Sequence, residues 1–435
     1  MLKKSNILPQ LKLLNNNWKF NNKFENLEPL IINYLTEINF AKITIKKPII
    51  FIAETEHSKF ISAFFASIIT NSCVFLINSH WQSNEWEQIN NIVKPDIIFG
   101  NINYNFSSFK QKSPSFTGIM IPTGGTSGKI KFAIHTWATL TASAIGFYQY
   151  FENLPINSYC CLPLYHVSGL MQVIRSFISQ GKLVINSFQN LKNNLDIIED
   201  YQDYFISLVP TQLQFFLDNN PQYLSQFKTV LVGGASVYPH QILLANKYNI
   251  PLALTYGMTE TASGISILKP KENRENNYNT GQILPHAQVI INDNKSDIIK
   301  IKSTSLFKGY YPYFQNIDIW TTDDIGYIDQ EGNLWILGRN SQKIITGGEN
   351  VFPLEIESVI LATKLVKDVH IIGKKDDYWG EVITAFYVPI NNSIKNEDIK
   401  VKLVSQIAKY KIPKIWQKVS QIPRNSQGKI IEINN

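Results

Sequence analysis

Hydrophobic and polar positions along this chain follow two rhythms. Pro48 to Ala53, Val74 to Ile77 and Pro95 to Phe99 are short apolar runs that read as buried strands. Between them, Lys59 to Thr70 and Trp81 to Ile92 carry apolar residues at helical spacing. Lys131 to Thr136 is extended. It is followed by a helix from Trp137, a strand near Tyr159 to Leu162, a helix from Val167 to Ser179 and a strand from Lys182 to Ile185. Phe205 to Val209, Thr229 to Val232 and Pro251 to Leu254 are further strands. Strands alternating with helices predict an α/β fold built on mainly parallel sheet, covered on both faces. The rhythm changes at Gly281. Val289 to Ile291, Ile298 to Ile301 and Asn333 to Leu337 predict a small antiparallel β subdomain. Beyond Gly338 the α/β pattern returns: a helix from Pro353, strands Val369 to Ile372 and Val382 to Val388, and a helix from Glu397 to Tyr410. A large domain, 1–338, and a small one, 339–435, are therefore expected; the first 47 residues carry no readable motif.

A chain of 435 residues has room for two domains with a large core. Its net charge is 41 − 34 = +7, with basic residues scattered and no dense run beyond Lys46-Lys47. That argues against nucleic acid as a partner and for polyanionic small molecules. Charged residues make up 17%, below the usual ~25%, and Asn fills much of the gap, as in Asn15-Asn16-Asn17. The Asn, Ile and Lys bias fits an AT-rich genome such as that of an organelle or a symbiont. Cys73, Cys160 and Cys161 have neither disulfide nor metal spacing, so packing in a reducing compartment is expected. No secretion signal and no window long enough to span a membrane is read from the sequence.

Four stretches carry candidate chemistry. Thr123-Gly124-Gly125-Thr126-Ser127-Gly128-Lys129-Ile130-Lys131 joins two extended segments. Its glycines let the backbone approach a ligand, and its amides, hydroxyls and lysines suit a polyphosphate. The spacing is not that of a Walker A loop. Thr255-Tyr256-Gly257-Met258-Thr259-Glu260 ends an apolar strand, where open α/β sheets bind ligands. There Tyr can stack on adenine, Thr can bond phosphate and Glu can hold Mg²⁺. Thr321-Thr322-Asp323-Asp324-Ile325-Gly326 with Gly338-Arg339 offers a carboxylate and a guanidinium to ribose hydroxyls. Pro423 to Lys429 ends in a lysine. Taken singly, each stretch also reads as an ordinary turn or a solvated charge.

Their order and spacing are more specific. Between Ile119 and Lys429 the chain resembles the adenylate-forming superfamily of acyl-CoA synthetases, carrier-loading adenylation domains and luciferases. It carries all four motifs in family order, together with Lys343 to Glu357 around Gly347-Gly348. Ile130 stands where many members have Pro, and Asp323 where they have Gly. Pro122 to Trp137 and Leu162 to Gln172 resemble 2-succinylbenzoate–CoA ligases of the cyanobacterial and plastid type. The resemblance implies ATP, Mg²⁺ and coenzyme A as reactants and cofactor, in the pathway to menaquinone or phylloquinone, in a plastid stroma or bacterial cytoplasm. It also implies roles for residues. Thr123, Thr126, Ser127 and Lys131 would cradle the β and γ phosphates within the Gly124, Gly125 and Gly128 turn. Thr259 and Glu260 would serve the α-phosphate and Mg²⁺. Tyr256-Gly257 and Gly233-Gly234-Ala235 would hold adenine, and Asp324 and Arg339 the ribose. Lys429 would act in adenylate formation and leave as the small domain turns about Asn340-Ser341. His166, Ser168 and Arg175 are candidates for the second carboxylate of the acid. Other fatty- or aryl-acid CoA ligases, and modules that load carrier proteins, are the alternatives.

Overall fold

The computed structural model describes residues 4–14, 17–21, 23–106, 114–124, 129–193, 201–270, 279–292, 297–424 and 430. Among these residues the strands form four sheets. One runs in the order Ile97–Gly100, Ile49–Ala53, Cys73–Leu76, Gly118–Gly124, Ile130–His135; all neighbours are parallel except the last pair, a hairpin. Every residue of Ile49–Ala53 and Cys73–Leu76 is buried, as a sheet covered on both faces requires. A second sheet of nine strands has a parallel centre: Leu252–Met258, Thr229–Val232, Tyr204–Leu208, Asn157–Cys160, Leu183–Ile185 and Trp18–Phe20.

Helices His57–Ile69, Trp137–Tyr150 and Val167–Ser179 contribute to one core shared by the two sheets, with Ile52, Leu76 and Ile121 from one and Cys160, Leu183 and Ile185 from the other. Phe64, Phe65 and Phe177 are fully buried there, each contributing about 1.5–3 kcal/mol over an exposed ring. The parallel strands Thr229–Val232 and Leu252–Met258 run to Gly233 and Glu260, so their carboxyl ends face the cavity described below.

The antiparallel subdomain is present with one strand more than expected: Ala287–Ile290, Asp297–Ser303, Trp320–Ile328 and Leu334–Arg339 in that order, of which Trp320–Ile328 was not anticipated. Its last strand passes through the single turn Asn340–Gln342 into a body with its own core of Ile344, Ile356, Ile371, Ile383 and Leu403. Strands Val366–Asp376 and Gly380–Pro389 form its centre, flanked by helix Pro353–Ala362.

Two other segments differ from expectation. The first 47 residues form helices Ile7–Leu14 and Leu27–Ala41 and the strand Trp18–Phe20. Ile7, Leu11 and Leu14, and then Leu27, Ile31 and Ile38, are the buried faces that polar Asn-rich neighbours obscured. The helix expected over Glu397 to Tyr410 is Asn396–Leu403, with a separate turn at Lys409–Lys411. Only Ile399 and Leu403 face the core, while Val401 and Val404 are exposed, so no apolar stripe carries the helix further. No helix among the described residues is long and apolar enough to cross a membrane. All three cysteines are buried and free.

Candidate functional site

One cavity of roughly 2440 Å³ gathers residues from the Gly118–Gly124/Ile130–His135 hairpin, the strand ends, the antiparallel subdomain and the small body. Thr123 and Lys131 face each other across the hairpin Gly118–Gly124/Ile130–His135, and both line the cavity. Gly124 ends the first strand; Gly125, Thr126, Ser127 and Gly128 lie outside the described residues.

The Thr259–Thr261 turn beside them is held from outside at four successive carbonyls. His135 Nε2 donates to Thr259 O (2.7 Å), Phe307 N–H to Glu260 O (2.9 Å), Ser305 Oγ to Thr261 O (2.8 Å) and Ser143 Oγ to Ala262 O (2.7 Å). A carbonyl only accepts, so His135 carries its proton on Nε2, and its Nδ1 accepts from Thr139 Oγ1 at 3.0 Å. Burial holds this ring's pKa down at about 4. Tyr310 donates its hydroxyl to Glu260 Oε1 at 2.5 Å, and nothing among the described residues bonds the other carboxylate oxygen. No group of three metal-ligating side chains occurs among the described residues. A lone carboxylate with an open oxygen beside the hairpin expected to hold phosphates nevertheless fits Mg²⁺, which is commonly held by one or two carboxylates plus substrate phosphates.

The residues expected to hold the nucleoside line the same cavity. A Cβ on Gly233 would sit 2.4 Å from Thr255 Oγ1, and Gly234 has φ +82°, so the turn into Ala235 requires glycine. Tyr256 donates its hydroxyl to Asp324 Oδ2 (2.8 Å), and Arg339 Nε lies 3.4 Å from Asp324 Oδ1. Burial, and then the Asp324 charge, hold the Tyr256 phenol protonated far above its usual range. Register explains the pair: Asp324 lies opposite Arg339 in adjacent antiparallel strands. Two local readings are corrected here. Thr321 to Gly326 lies inside the strand Trp320–Ile328 rather than in a turn, and Tyr256-Gly257 lies inside Leu252–Met258. Antiparallel pairing with Ser263–Leu268 prolongs that strand, and a Cβ on Gly257 would meet Ser263 O at 2.1 Å.

The acyl candidates line another part of the same cavity. His166 precedes helix Val167–Ser179 and packs on Tyr165, with ring centroids 4.4 Å apart; Ser168 accepts from Gln172 through its carbonyl. Arg175, on the same helix, is 6% exposed, so it is not a surface charge. Its guanidinium lies 4.0 Å from the Phe147 ring centroid and donates to Ser263 Oγ (3.1 Å); its Nε has no partner and no carboxylate pairs with it among the described residues. Burial pulls its pKa down to about 9. His286 stands beside it, pressed over Gly146, with neither ring nitrogen hydrogen-bonded. Burial, and then the Arg175 charge, lower its pKa to about 4.

Three polar links touch or steady the small body. Asp323 accepts from the Ser341 amide (3.1 Å) and from its hydroxyl, Tyr238 donates to Glu357 (3.4 Å), and Arg424 pairs with Asp368 (2.8 Å). Lys429 lies outside the described residues; Arg424 and Ile430 on either side of it form a β-bridge. His135, His286, Ser305 and Tyr310 were missed in the sequence. Only Gly309-Tyr310-Tyr311-Pro312, an aromatic pair between turn residues, carried a usable signal.

Residues 81–311 match the AMP-binding enzyme family and 355–429 the AMP-binding enzyme C-terminal domain. The chain is 34% identical over 316 residues to the 2-succinylbenzoate–CoA ligase of Listeria monocytogenes serotype 4b, covering 71% of this chain and 67% of that protein. It is 31% identical to the enzyme of the same name from Bacillus pumilus, covering 72% and 67%. In fold it is similar to o-succinylbenzoate CoA synthetase from Bacillus subtilis in complex with the acyl-adenylate OSB-AMP (TM-score 0.82, 22% identity, covering 98% and 96%). ATP-bound MatB from Rhodopseudomonas palustris is as similar in fold (TM-score 0.82, 19% identity, covering 98% and 97%). The chain belongs to the AMP-binding enzymes and, within them, to the family of the 2-succinylbenzoate–CoA ligases.

Proposed function

We propose that this protein joins 2-succinylbenzoate to coenzyme A at the expense of ATP, by way of an acyl-adenylate. In the first half-reaction a substrate carboxylate oxygen bonds to the α-phosphorus of ATP, the bond to the β-phosphate breaks, and diphosphate leaves. In the second, the thiol sulfur of coenzyme A bonds to the acyl carbon, loses its proton, and AMP leaves. The first half gathers anions, so the protein's task is to supply positive charge and donors and to hold the reactants in line.

In this reading Thr123, Lys131 and the residues from Gly124 to Gly128 between them hold the β and γ phosphates. Thr259 serves the α-phosphate. Glu260 holds Mg²⁺, which would neutralise charge on the phosphates. The Gly233–Ala235 turn and Tyr256 bound the adenine, and Asp324 and Arg339 take the ribose hydroxyls. Lys429 serves adenylate formation. The small domain begins at Arg339 and turns between half-reactions, exchanging Lys429 for the Gly347-Gly348 turn. Bacterial relatives support a bacterial cytoplasm and a place in the route to menaquinone; plastid stroma and phylloquinone are the other setting proposed.

One observation carries the choice of acid: a buried arginine with no carboxylate partner among the described residues lines the same cavity as the nucleotide groups. An isolated charge taken out of water is costly unless an anion joins it. The second carboxylate of 2-succinylbenzoate is such an anion; a plain fatty or benzoic acid is not. Diphosphate release across a panel of carboxylic acids, with and without coenzyme A, tests this reading. Release limited to aromatic acids bearing a second carboxylate is expected. Preference for plain fatty or aryl acids would overturn the substrate, and acyl transfer to a carrier protein in place of coenzyme A would overturn the acceptor.

A further inference from the structure

We infer that Tyr310 is a positioning residue for adenylate formation: its hydroxyl fixes one oxygen of Glu260 so that the other is presented to Mg²⁺. This rests on the reading above, in which Glu260 holds the metal.

Several independent contacts fix where the phenol stands. Lys308 N–H donates to Ile134 O (2.6 Å), Ile134 N–H to Gly309 O (2.9 Å) and Tyr311 N–H to Phe132 O (2.9 Å). The segment carrying Tyr310 is thus stapled to the strand Ile130–His135, the second arm of the phosphate hairpin, with Tyr310 bridged to Ala133. Gly309, at φ +84°, supplies the bend that aims the side chain. The ring lies edge-on to Phe307 at 5.0 Å, and the Lys131 ammonium stands 5.3 Å from its centroid. Phe307 in turn donates its amide to Glu260 O, so the same short segment holds both the backbone and the carboxylate of Glu260.

A free glutamate side chain samples several rotamers and can turn either oxygen to a ligand. Here the backbone beneath it is held at four consecutive carbonyls, and the remaining freedom is in the side chain itself. Tyr310 removes that freedom. Partners of a ligating carboxylate orient it, and their loss typically weakens metal affinity 10- to 100-fold. Replacing tyrosine by phenylalanine keeps the packing on Phe307 and the face offered to Lys131. It removes only the bond to Glu260.

The experiment is calorimetric titration of ATP into wild type, Tyr310→Phe, Glu260→Gln and the double variant, at a series of Mg²⁺ concentrations and in EDTA. The expected result for Tyr310→Phe is an approximately tenfold rise in the Mg²⁺ needed for half-maximal enhancement of ATP binding, with metal-free ATP affinity retained within about twofold. In the Glu260→Gln background the same substitution changes nothing further. An unchanged Mg²⁺ requirement in Tyr310→Phe overturns the inference while leaving the proposed function standing. So does an equal loss of metal-free binding, which would mean that the phenol serves the nucleotide or the fold directly. Wild type that binds ATP without any Mg²⁺ dependence overturns the functional reading, and this inference with it.

Discussion

At the candidate site the large body of this protein is distinguished by its anchoring bonds, and the small body by its positive charge. In the large body, residues 1–338 carry 26 basic and 24 acidic side chains, a net of +2, and the groups that matter are anchored by buried or half-buried bonds. His135, Ser143, Ser305 and Phe307 hold the Thr259–Ala262 backbone, and Tyr310, Tyr256 and Ser263 steady Glu260, Asp324 and Arg175. In the small body, residues 339–435 carry 15 basic and 10 acidic side chains, a net of +5 in under a quarter of the chain. It is joined through one short turn whose side-chain tether, Asp323 to Ser341, is exposed. Under the proposed function this contrast is a division of labour: a preorganised receptor for the nucleotide and acid, and a positively charged body that turns relative to it between half-reactions.

The largest expected effect lies on the small body. Lys429→Ala should slow adenylate formation about 100- to 1000-fold while thiolation of a supplied acyl-adenylate stays within a few-fold. Single-turnover measurement of each half-reaction checks this, and equal loss in both would erase the division. Acid stability probes the large body. His135 and His286 are neutral in the folded state with pKa values near 4, whereas the ordinary value is 6.5. Below pH 6.5 the unfolded chain therefore binds more protons, and stability falls until about pH 4, by up to roughly 3 kcal/mol for each ring. Urea unfolding at pH 7 and pH 4.5 should show the loss, and a His286→Asn variant should show less of it.

Arg175→Leu comes next. Losing one partner of a buried charge contact of this kind typically costs at least about 2 kcal/mol, so kcat/KM for 2-succinylbenzoate should fall ~30-fold or more. Plain aryl acids should be affected far less, and unchanged discrimination between the two would remove Arg175 from the acyl site. The smallest effect is expected at the proposed pivot. Asp323→Gly removes the exposed tether to Ser341 and should alter one half-reaction by only a few-fold, since exposed bonds of this kind are worth little. Ser341→Pro, which fixes φ and removes the tethered amide, should slow one half-reaction selectively. Equal rates in both half-reactions for both variants would mean that the turn is not a pivot.

Much of the fold was legible because the parallel strands are short, apolar and evenly spaced by helices, and Val167–Ser179 and Thr229–Val232 begin and end where the pattern predicts. The amino-terminal helices were not, because their stripes of Ile and Leu are diluted by Asn and Lys, and burial emerges only when they meet helix His57–Ile69 and the sheet edge. Of the site, the residues with motif spacing were legible: Glu260, Asp324 and Arg339 line one cavity. Their supports were not. His135 lies 124 positions from Thr259, Tyr310 lies 50 from Glu260, and Asp324 lies 68 from Tyr256; only the fold makes such pairs neighbours. Asp323, a departure from the glycine expected at that place, became intelligible once Ser341 was seen bonded to it.

The central claim is that one chain forms and then consumes an acyl-adenylate in this cavity. Incubating the enzyme with 2-succinylbenzoate and Mg·ATP in the absence of coenzyme A, then identifying the bound species by mass spectrometry, tests it most directly. About one succinylbenzoyl-adenylate per chain is expected, with release of diphosphate, converted to the CoA thioester and AMP when coenzyme A is added. Release of ADP and phosphate, or thioester formed with no bound adenylate beforehand, would contradict it.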